Sequence, residues 1–223
     1  KIQKKKLNKS KVTWLSEISK IKKNPSIFIA NEFFDSMAIK QFRKKGNEWY
    51  EKFVNIKNKS NISFFEKKTE IKKFETKLDF KIFQNQNFVE YSEIGLKYFK
   101  NVSKIIKKYT GGLLIIDYGF EYEKMQDTLQ AVSNHKFANI LSDIGNVDIT
   151  HNINFEIFKK FIKKLGGLET EITTQRKFLI KMGIKERAEI ISKNFNFTKK
   201  ADIFYRLKRL IDEKEMGNIF KVM

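Results

Sequence analysis

The stretch Ile27-Phe28-Ile29-Ala30-Asn31-Glu32-Phe33-Phe34-Asp35 decides the fold. Four apolar residues run straight into an amide and a carboxylate, and a second carboxylate follows three residues later. A short continuous apolar run with branched and aromatic residues reads as a strand buried on both faces. An unpaired charge inside such a strand is costly, so the acids belong at its carboxyl end. In an open α/β sheet that edge is where ligands bind. Leu113-Leu114-Ile115-Ile116 runs in the same way into Asp117-Tyr118-Gly119, where the glycine allows a sharp turn or a close approach to a ligand. Two buried strands that both end in an acid point to one functional edge of one sheet.

Outward from the first strand, Val12-Thr13-Trp14-Leu15 is a short strand candidate, and the lone Pro25 marks the break before the acids' strand. Residues 39–43 and 49–54 flank Lys45-Gly46-Asn47 and read as a β-hairpin. Residues 57–88 are rich in Lys, Phe and Asn and weakly periodic, the least regular part of a peripheral excursion at about 40–90. From Ser92 to Tyr109 the spacing predicts a helix with Ile94, Tyr98, Val102, Ile105 and Tyr109 on one face, Ser92 as N-cap and Gly111-Gly112 as stop. Helix, glycine stop and acid-ended strand make half of a βαβ unit. A further helix covers about Phe155–Leu165, and Glu169–Thr173 reads as strand. Gln175–Met182 resumes apolar character, Ala188–Ile191 and Ile203–Ile211 read as helices, and Asn218–Val222 reads as a last strand. Strands separated by helices fit an α/β, doubly wound domain with helices on both faces, and no linker or repeat divides residues 1–223.

Composition narrows the classes. The 223 residues, 41% hydrophobic with 22 Phe, suffice for a sizeable core, and no apolar run approaches the ~18 residues a membrane span needs. The absence of Cys excludes disulfides and thiolate metal sites. The two His, His135 and His151, lie in separate segments, against a histidine metal site. A net charge of +20 invites a nucleic-acid reading, but only five of the 46 basic residues are Arg, the side chain that base-edge and bidentate phosphate recognition favour. Lys, Asn, Ile and Phe are abundant while Pro and Gly are scarce, as AT-rich codons would produce without selection for polyanions. No specific nucleic-acid partner is therefore expected. The opening Lys1-Ile2-Gln3-Lys4-Lys5-Lys6-Leu7 reads as the end of a helix already under way, so a fragment lacking its natural N-terminus is expected. Its basic run lacks the Arg and Ser enrichment of a transit peptide, which favours a bacterial cytoplasm over a mitochondrial matrix.

The candidate site residues follow from the two acid-ended strands. Asn31, Glu32 and Asp35 lie after the first, and Asp117 and Tyr118 after the second. Asp127-Thr128-Leu129-Gln130-Ala131-Val132 and Asp148-Ile149-Thr150 add further polar groups. Converging carboxylates suit a cationic ligand: an ammonium, a sulfonium-bearing cofactor or a guanidinium. The plainer alternatives are that Asp35 caps a helix and that Asp148-Ile149-Thr150 is a turn.

The string Ile29-Ala30-Asn31-Glu32-Phe33-Phe34-Asp35 resembles the signature of the MidA family of S-adenosylmethionine-dependent methyltransferases. That family includes the mitochondrial complex I assembly factor that methylates protein arginine. The resemblance continues in order through Gln41-Phe42, Ile116-Asp117-Tyr118-Gly119, Asp127–Val132 with His135, and Asp148-Ile149-Thr150. It goes on through Gln175, Phe178-Leu179, Met182-Gly183-Ile184, Met216-Gly217 and Phe220-Lys221-Val222, failing mainly in residues 57–88. Ala38 stands where the family has Pro, Arg176 where it has Gly, and Asn152 where it has a His, with His151 one place earlier. The family's acidic, glycine-rich cofactor loop has no counterpart in these residues, so the resemblance implies the C-terminal two-thirds of a Rossmann-like class I methyltransferase.

The resemblance implies S-adenosyl-L-methionine as cofactor and a protein substrate, with a complex I subunit as candidate. It implies Glu32 and Asp35 as catalytic, Asn31 as a cofactor contact, and Asp117, Tyr118, Gln130 and Asp148 on the acceptor side. The rival class is a basic, non-catalytic module that binds RNA or an acidic protein, and a third expectation is that the fragment alone is inert.

Overall fold

The computed structural model describes residues 2–7, 10–58, 61–134 and 136–223. Lys1 and His135 lie outside the described residues. A short helix α1 (Ile2–Lys6) and a 3-10 turn at Ile18–Lys20 precede the first strand. Val12–Leu15 is irregular rather than a strand.

The two acid-bearing strands lie in one sheet as expected. β1 (Ser26–Asn31) runs parallel to β6 (Gly111–Phe120), from Ser26 opposite Gly111 to Asn31 opposite Ile116. β6, however, runs on three residues past Asp117, which sits inside the strand and not at its end. The last strand, β12 (Phe220–Val222), enters antiparallel between β6 and β11 (Thr173–Thr174), giving the order β1-β6-β12-β11. β10 (Ile153–Asn154) pairs parallel with the end of β6. Glu169–Thr173, expected as strand, is extended only at its last residue. Gly119 serves this close pairing and not a ligand: a Cβ there would lie 2.3 Å from the Ile153 carbonyl oxygen.

β1 is not buried on both faces. Ile27 and Ile29 are 82% and 71% exposed, because among the described residues no element covers that face. The opposite face carries the core. There Ala30 and Ile115 meet Phe34, Phe99, Phe155, Phe158 and Ile162 from helices α3 (Glu93–Tyr109) and α4 (Phe155–Leu165) and the turn after β1. Phe99 and Phe158 stack with centroids 4.2 Å apart.

α3 is capped as its sequence predicts: Ser92 Oγ accepts from the Gly95 N–H at 2.9 Å and donates to the Ala38 carbonyl. Its buried face is rotated from the expected one, sharing Val102 with it and leaving Ile105 and Tyr109 half-buried. Phe99, Val102 and Ile106 are buried, whereas Ile94 and Tyr98 are exposed. Gly95 and Ser103 also lie on the buried face, where a Cβ at Gly95 would come within 3.1 Å of Ser92 and 3.4 Å of the Met37 sulfur. At the far end the chain turns through Gly111, where a Cβ would sit 1.9 Å from the Ser26 carbonyl oxygen.

Residues 40–91, expected as a peripheral excursion, are regular in structure. They build a second, antiparallel sheet in the order β4-β3-β2-β5, from β2 (Lys40–Lys45), β3 (Glu48–Asn58), β4 (Asn61–Thr69) and β5 (Phe88–Tyr91). The β2–β3 pair is the expected hairpin. β4 and helix α2 (Lys72–Leu78) occupy the stretch whose periodicity is weak. Phe42, Trp49, Phe74, Ile82, Phe83, Val89 and Tyr91 form its own core, with Ile157 reaching in from α4.

A third, small sheet, β8-β7-β9, comes from β7 (Gln130–Ser133), β8 (Lys136–Ala138) and β9 (Asp148–Thr150). The C-terminal helices α5 (Gln175–Lys181), α6 (Ile184–Ser192), α7 (Phe197–Ile211) and α8 (Met216–Ile219) pack among themselves, and α5 and α8 also contact β11 and β12.

Candidate active site

The carboxyl end of β1 is shaped by one buried side chain. The Glu32 N–H extends the ladder to the Ile116 carbonyl at 3.0 Å, and the chain then turns with Glu32 at φ +45°, a conformation uncommon outside glycine. Asp117 holds the turn from beneath. Its Oδ2 accepts from the Phe33 and Phe34 N–H groups at 3.2 and 3.0 Å, and its Oδ1 from the Tyr118 N–H at 3.0 Å. Asp117 is 0% exposed, and burial followed by the charge of Asp35 pushes its carboxyl up to about 7. It lies on the core-facing side of β6 with Ile115 and does not line the acceptor side, contrary to the sequence expectation. Period-two alternation puts it there.

Asp35 caps no helix. It is 4% exposed, its carbonyl accepts from the His151 N–H at 3.0 Å, and its carboxyl is raised first by burial and then by Glu32. No cation lies within 4 Å of it among the described residues.

Glu32, Asp35 and Ser36 form one wall of a cleft of about 610 Å³, with Tyr118 beside them and Ile219 from α8. The tyrosine hydroxyl is raised by burial and by Glu32 and Asp35, with Arg209 opposing. The opposite wall is the small sheet, which contributes Gln130, Val132, Phe137, Asp148, Ile149 and Thr150, with Asn152 just beyond it. Asp148–Thr150 is thus strand and not turn. Five of the seven expected residues meet in this cleft: Glu32, Asp35, Tyr118, Gln130 and Asp148. Asn31 stands outside it, exposed at the strand end, with its Nδ2 donating to Glu32 Oε1 at 3.4 Å.

A second buried carboxylate anchors the opposite wall. Glu90 Oε2 accepts from Gln41 Nε2 at 2.6 Å and from the Thr128 N–H at 3.3 Å, and the Thr128 hydroxyl donates to Oε1. That hydroxyl in turn accepts from the Asn152 N–H at 2.8 Å, and Gln41 also reaches Asp127 at 2.7 Å. The segment entering β7 is therefore pinned to the second sheet. Gln130 Nε2 then donates to Thr150 Oγ1 at 3.2 Å across the small sheet.

His151 is buried and its ring is held below the ordinary histidine range by that burial, while its neighbour Asn152 faces the cleft. Glu90 and Phe137 are the residues that sequence reasoning passed over. Alternation along Gln130-Ala131-Val132 and Asp148-Ile149-Thr150 was the signal for the wall, but nothing local marked its partner strand. Among the described residues no group of three His, Cys, Asp or Glu side chains could hold a metal, and no helix is long and apolar enough to cross a membrane. Of the arginines, Arg43, Arg176 and Arg206 are each paired with an acid.

A parallel β1–β6 pair, an antiparallel last strand beside it and an acidic cleft at the carboxyl edge define a Rossmann-like methyltransferase fold. Two solved structures from Burkholderia thailandensis share it. An uncharacterized protein of the COG1565 superfamily superposes with a TM-score of 0.79 at 21% identity, over 99% of this chain and 61% of its own. A second member, bound to S-adenosyl-homocysteine, gives 0.75 at 21%, over 96% and 56%. The chain belongs to the family described as "Putative S-adenosyl-L-methionine-dependent methyltransferase", which matches residues 1–174. Similar curated proteins are named protein arginine methyltransferase NDUFAF7, mitochondrial. The one from Danio rerio is 27% identical over 94% of this chain and 49% of its own length, and that from Homo sapiens 24% over 94% and 47%. The Caenorhabditis elegans homolog is 28% identical over 79% and 42%. The chain thus spans about half the length of these relatives.

Proposed function

We propose that the chain supplies the acceptor side of an S-adenosyl-L-methionine-dependent methyltransferase that acts on arginine side chains of a protein, in work tied to respiratory complex I assembly. Residues 1–223 are then part of one methyltransferase domain, with the second sheet as its appendage. The compartment is a bacterial cytoplasm or, as the relatives' names have it, a mitochondrion.

The observation that carries this reading is the cleft at the carboxyl end of β1, where Glu32 and Asp35 beside Tyr118 face Asp148 on the opposite wall. Three carboxylates suit a cation, and the names of the relatives favour arginine. The cofactor, when bound, supplies a methyl group activated on a sulfonium. Asn31 and Glu32 fit a contact with it, because their single hydrogen bond leaves the amide oxygen and one carboxylate oxygen available at the strand end.

The residues of this chain then align the acceptor, a proximity and orientation effect. Glu32 and Asp35 receive the guanidinium through charge-assisted hydrogen bonds. A guanidinium does not deprotonate beforehand, so a carboxylate must be at hand as its nitrogen is methylated. Asp35, with its raised proton affinity, is the proton acceptor. Tyr118, Gln130 and Asp148 line the remaining sides. Asp117 acts from beneath, by holding the turn.

Methyl transfer to an arginine-containing protein substrate by the full-length protein tests this. Glu32→Gln is expected to lower the rate at least about tenfold, and a rate within about twofold of wild type removes Glu32 from the mechanism. Calorimetry with S-adenosylhomocysteine separates the rival class: salt-sensitive polyanion binding without cofactor binding establishes a basic, non-catalytic module.

A further inference from the structure

Register sets the composition of the cleft's second wall. Phe137 pairs with Val132, Val132 with Asp148, and Gln130 with Thr150. Side chains at alternate positions share a face, so these five stand together, and all five line the cleft.

Phe137 is the one aromatic among them, and the fold makes little use of it. It is 83% exposed, belongs to neither core, and no aromatic ring packs on it among the described residues. Across the cleft, the buried Asp35 carboxylate lacks a cationic partner among the described residues, and Glu32 stands beside it. An aromatic face on one wall and carboxylates on the other together match a flat cation, which stacks on the ring while donating to the acids. A guanidinium has that shape and is weakly hydrated, whereas an ammonium is a compact, strongly hydrated point charge.

We propose that Phe137 is a specificity-determining residue of the acceptor subsite, stacking its ring on the guanidinium of an arginine side chain held by Glu32 and Asp35. The role rests on the methyltransferase reading of the cleft and selects arginine over lysine within it.

NMR titration of the full-length protein with Nα-acetyl-arginine amide, the lysine amide and the neutral citrulline amide tests this. Wild type is expected to bind the arginine amide at least about fivefold more tightly than the lysine amide, and the citrulline amide not at all. Phe137→Leu is expected to weaken arginine binding about fivefold and bring the arginine-to-lysine ratio close to one, while Phe137→Trp restores both. The exposed position leaves folding unaffected, which a thermal melt of each variant checks. Wild-type-like arginine binding by Phe137→Leu overturns the stacking role. If Glu32→Gln meanwhile loses binding, the acceptor cleft itself stands. A wild type that binds no arginine amide overturns the proposal. If it still transfers methyl to another acceptor, only the guanidinium assignment falls; if it transfers to none, the methyltransferase reading falls with it.

Discussion

Asp117 and Glu90 are both buried carboxylates, and each anchors one wall of the cleft, but by different means. Asp117 lies within a strand and accepts only from backbone N–H groups, so it fixes the turn that carries Glu32 and Asp35. Glu90 lies in the second sheet and accepts mostly from side chains, so it fixes a segment distant in sequence that leads into Gln130. The first anchor is local to the parallel sheet. The second couples the second sheet to the segment that enters the small sheet. A cleft assembled in this way has one wall set by the backbone of β1 and β6, and another set by a side-chain network that only tertiary contact creates.

Removing the Asp117 anchor is the most damaging way to break this arrangement. Asp117→Leu strands one buried and two partly buried N–H donors and is expected to cost on the order of 3–5 kcal/mol in denaturant unfolding. The pH dependence sharpens the point. The folded carboxyl, at about 7, lies above its unfolded value, so the folded state binds the proton more tightly. Its stabilising contribution is complete at low pH and is lost as pH rises towards about 7. The stability difference between wild type and Asp117→Asn should therefore fall by up to about 1.4 kcal/mol per pH unit between about pH 4 and 7. A difference that is flat across that window would show that Asp117 titrates normally.

The Glu90 anchor is expected to cost less, because its loosened partners can reach water as the segment moves. Glu90→Ala should destabilise by about 2 kcal/mol in the same unfolding experiment. Hydrogen exchange should show faster opening in β7 and β9 but not in the turn after β1. Equal acceleration at both places would show that the two walls are not separately anchored.

The smallest effect is expected at Glu32. Glycine at φ +45° relieves the strain of the side chain but adds backbone freedom to the unfolded chain, two terms of about 1 kcal/mol that oppose each other. Glu32→Gly should thus change stability by no more than about 0.5 kcal/mol while removing the carboxylate from the cleft. A loss above about 2 kcal/mol would make Glu32 a structural residue.

Much of the scaffold was legible because local signals agreed with each other. The β1 and β6 runs, the Ser92 cap, the β2–β3 hairpin and α4 each carry period, cap and stop residues in register with the fold. The second sheet was less so. Its core is aromatic, and the residues between β3 and β5 do not keep a single period, so β4 and α2 left little pattern. The α3 face was ambiguous because two apolar arcs run along the helix, one through Ile94 and Tyr98 and one through Phe99, Val102 and Ile106. Gly95 and Ser103 lie with the second on the buried side. The place of Asp117 could have been inferred from parity with Ile115, since residues two apart share a face. Phe137 and Glu90 could not, because neither stands near the acids in sequence.

By itself, the sequence determined two strands of one sheet that carry acids, the helix between them and the family signature they carry. These depend on neighbours within a few residues, where periodicity and capping act. Tertiary structure alone decided which acids face the cleft, which lie beneath it and which strand supplies the opposite wall. Those outcomes depend on desolvation and on hydrogen bonds between segments tens of residues apart, and no local pattern encodes either.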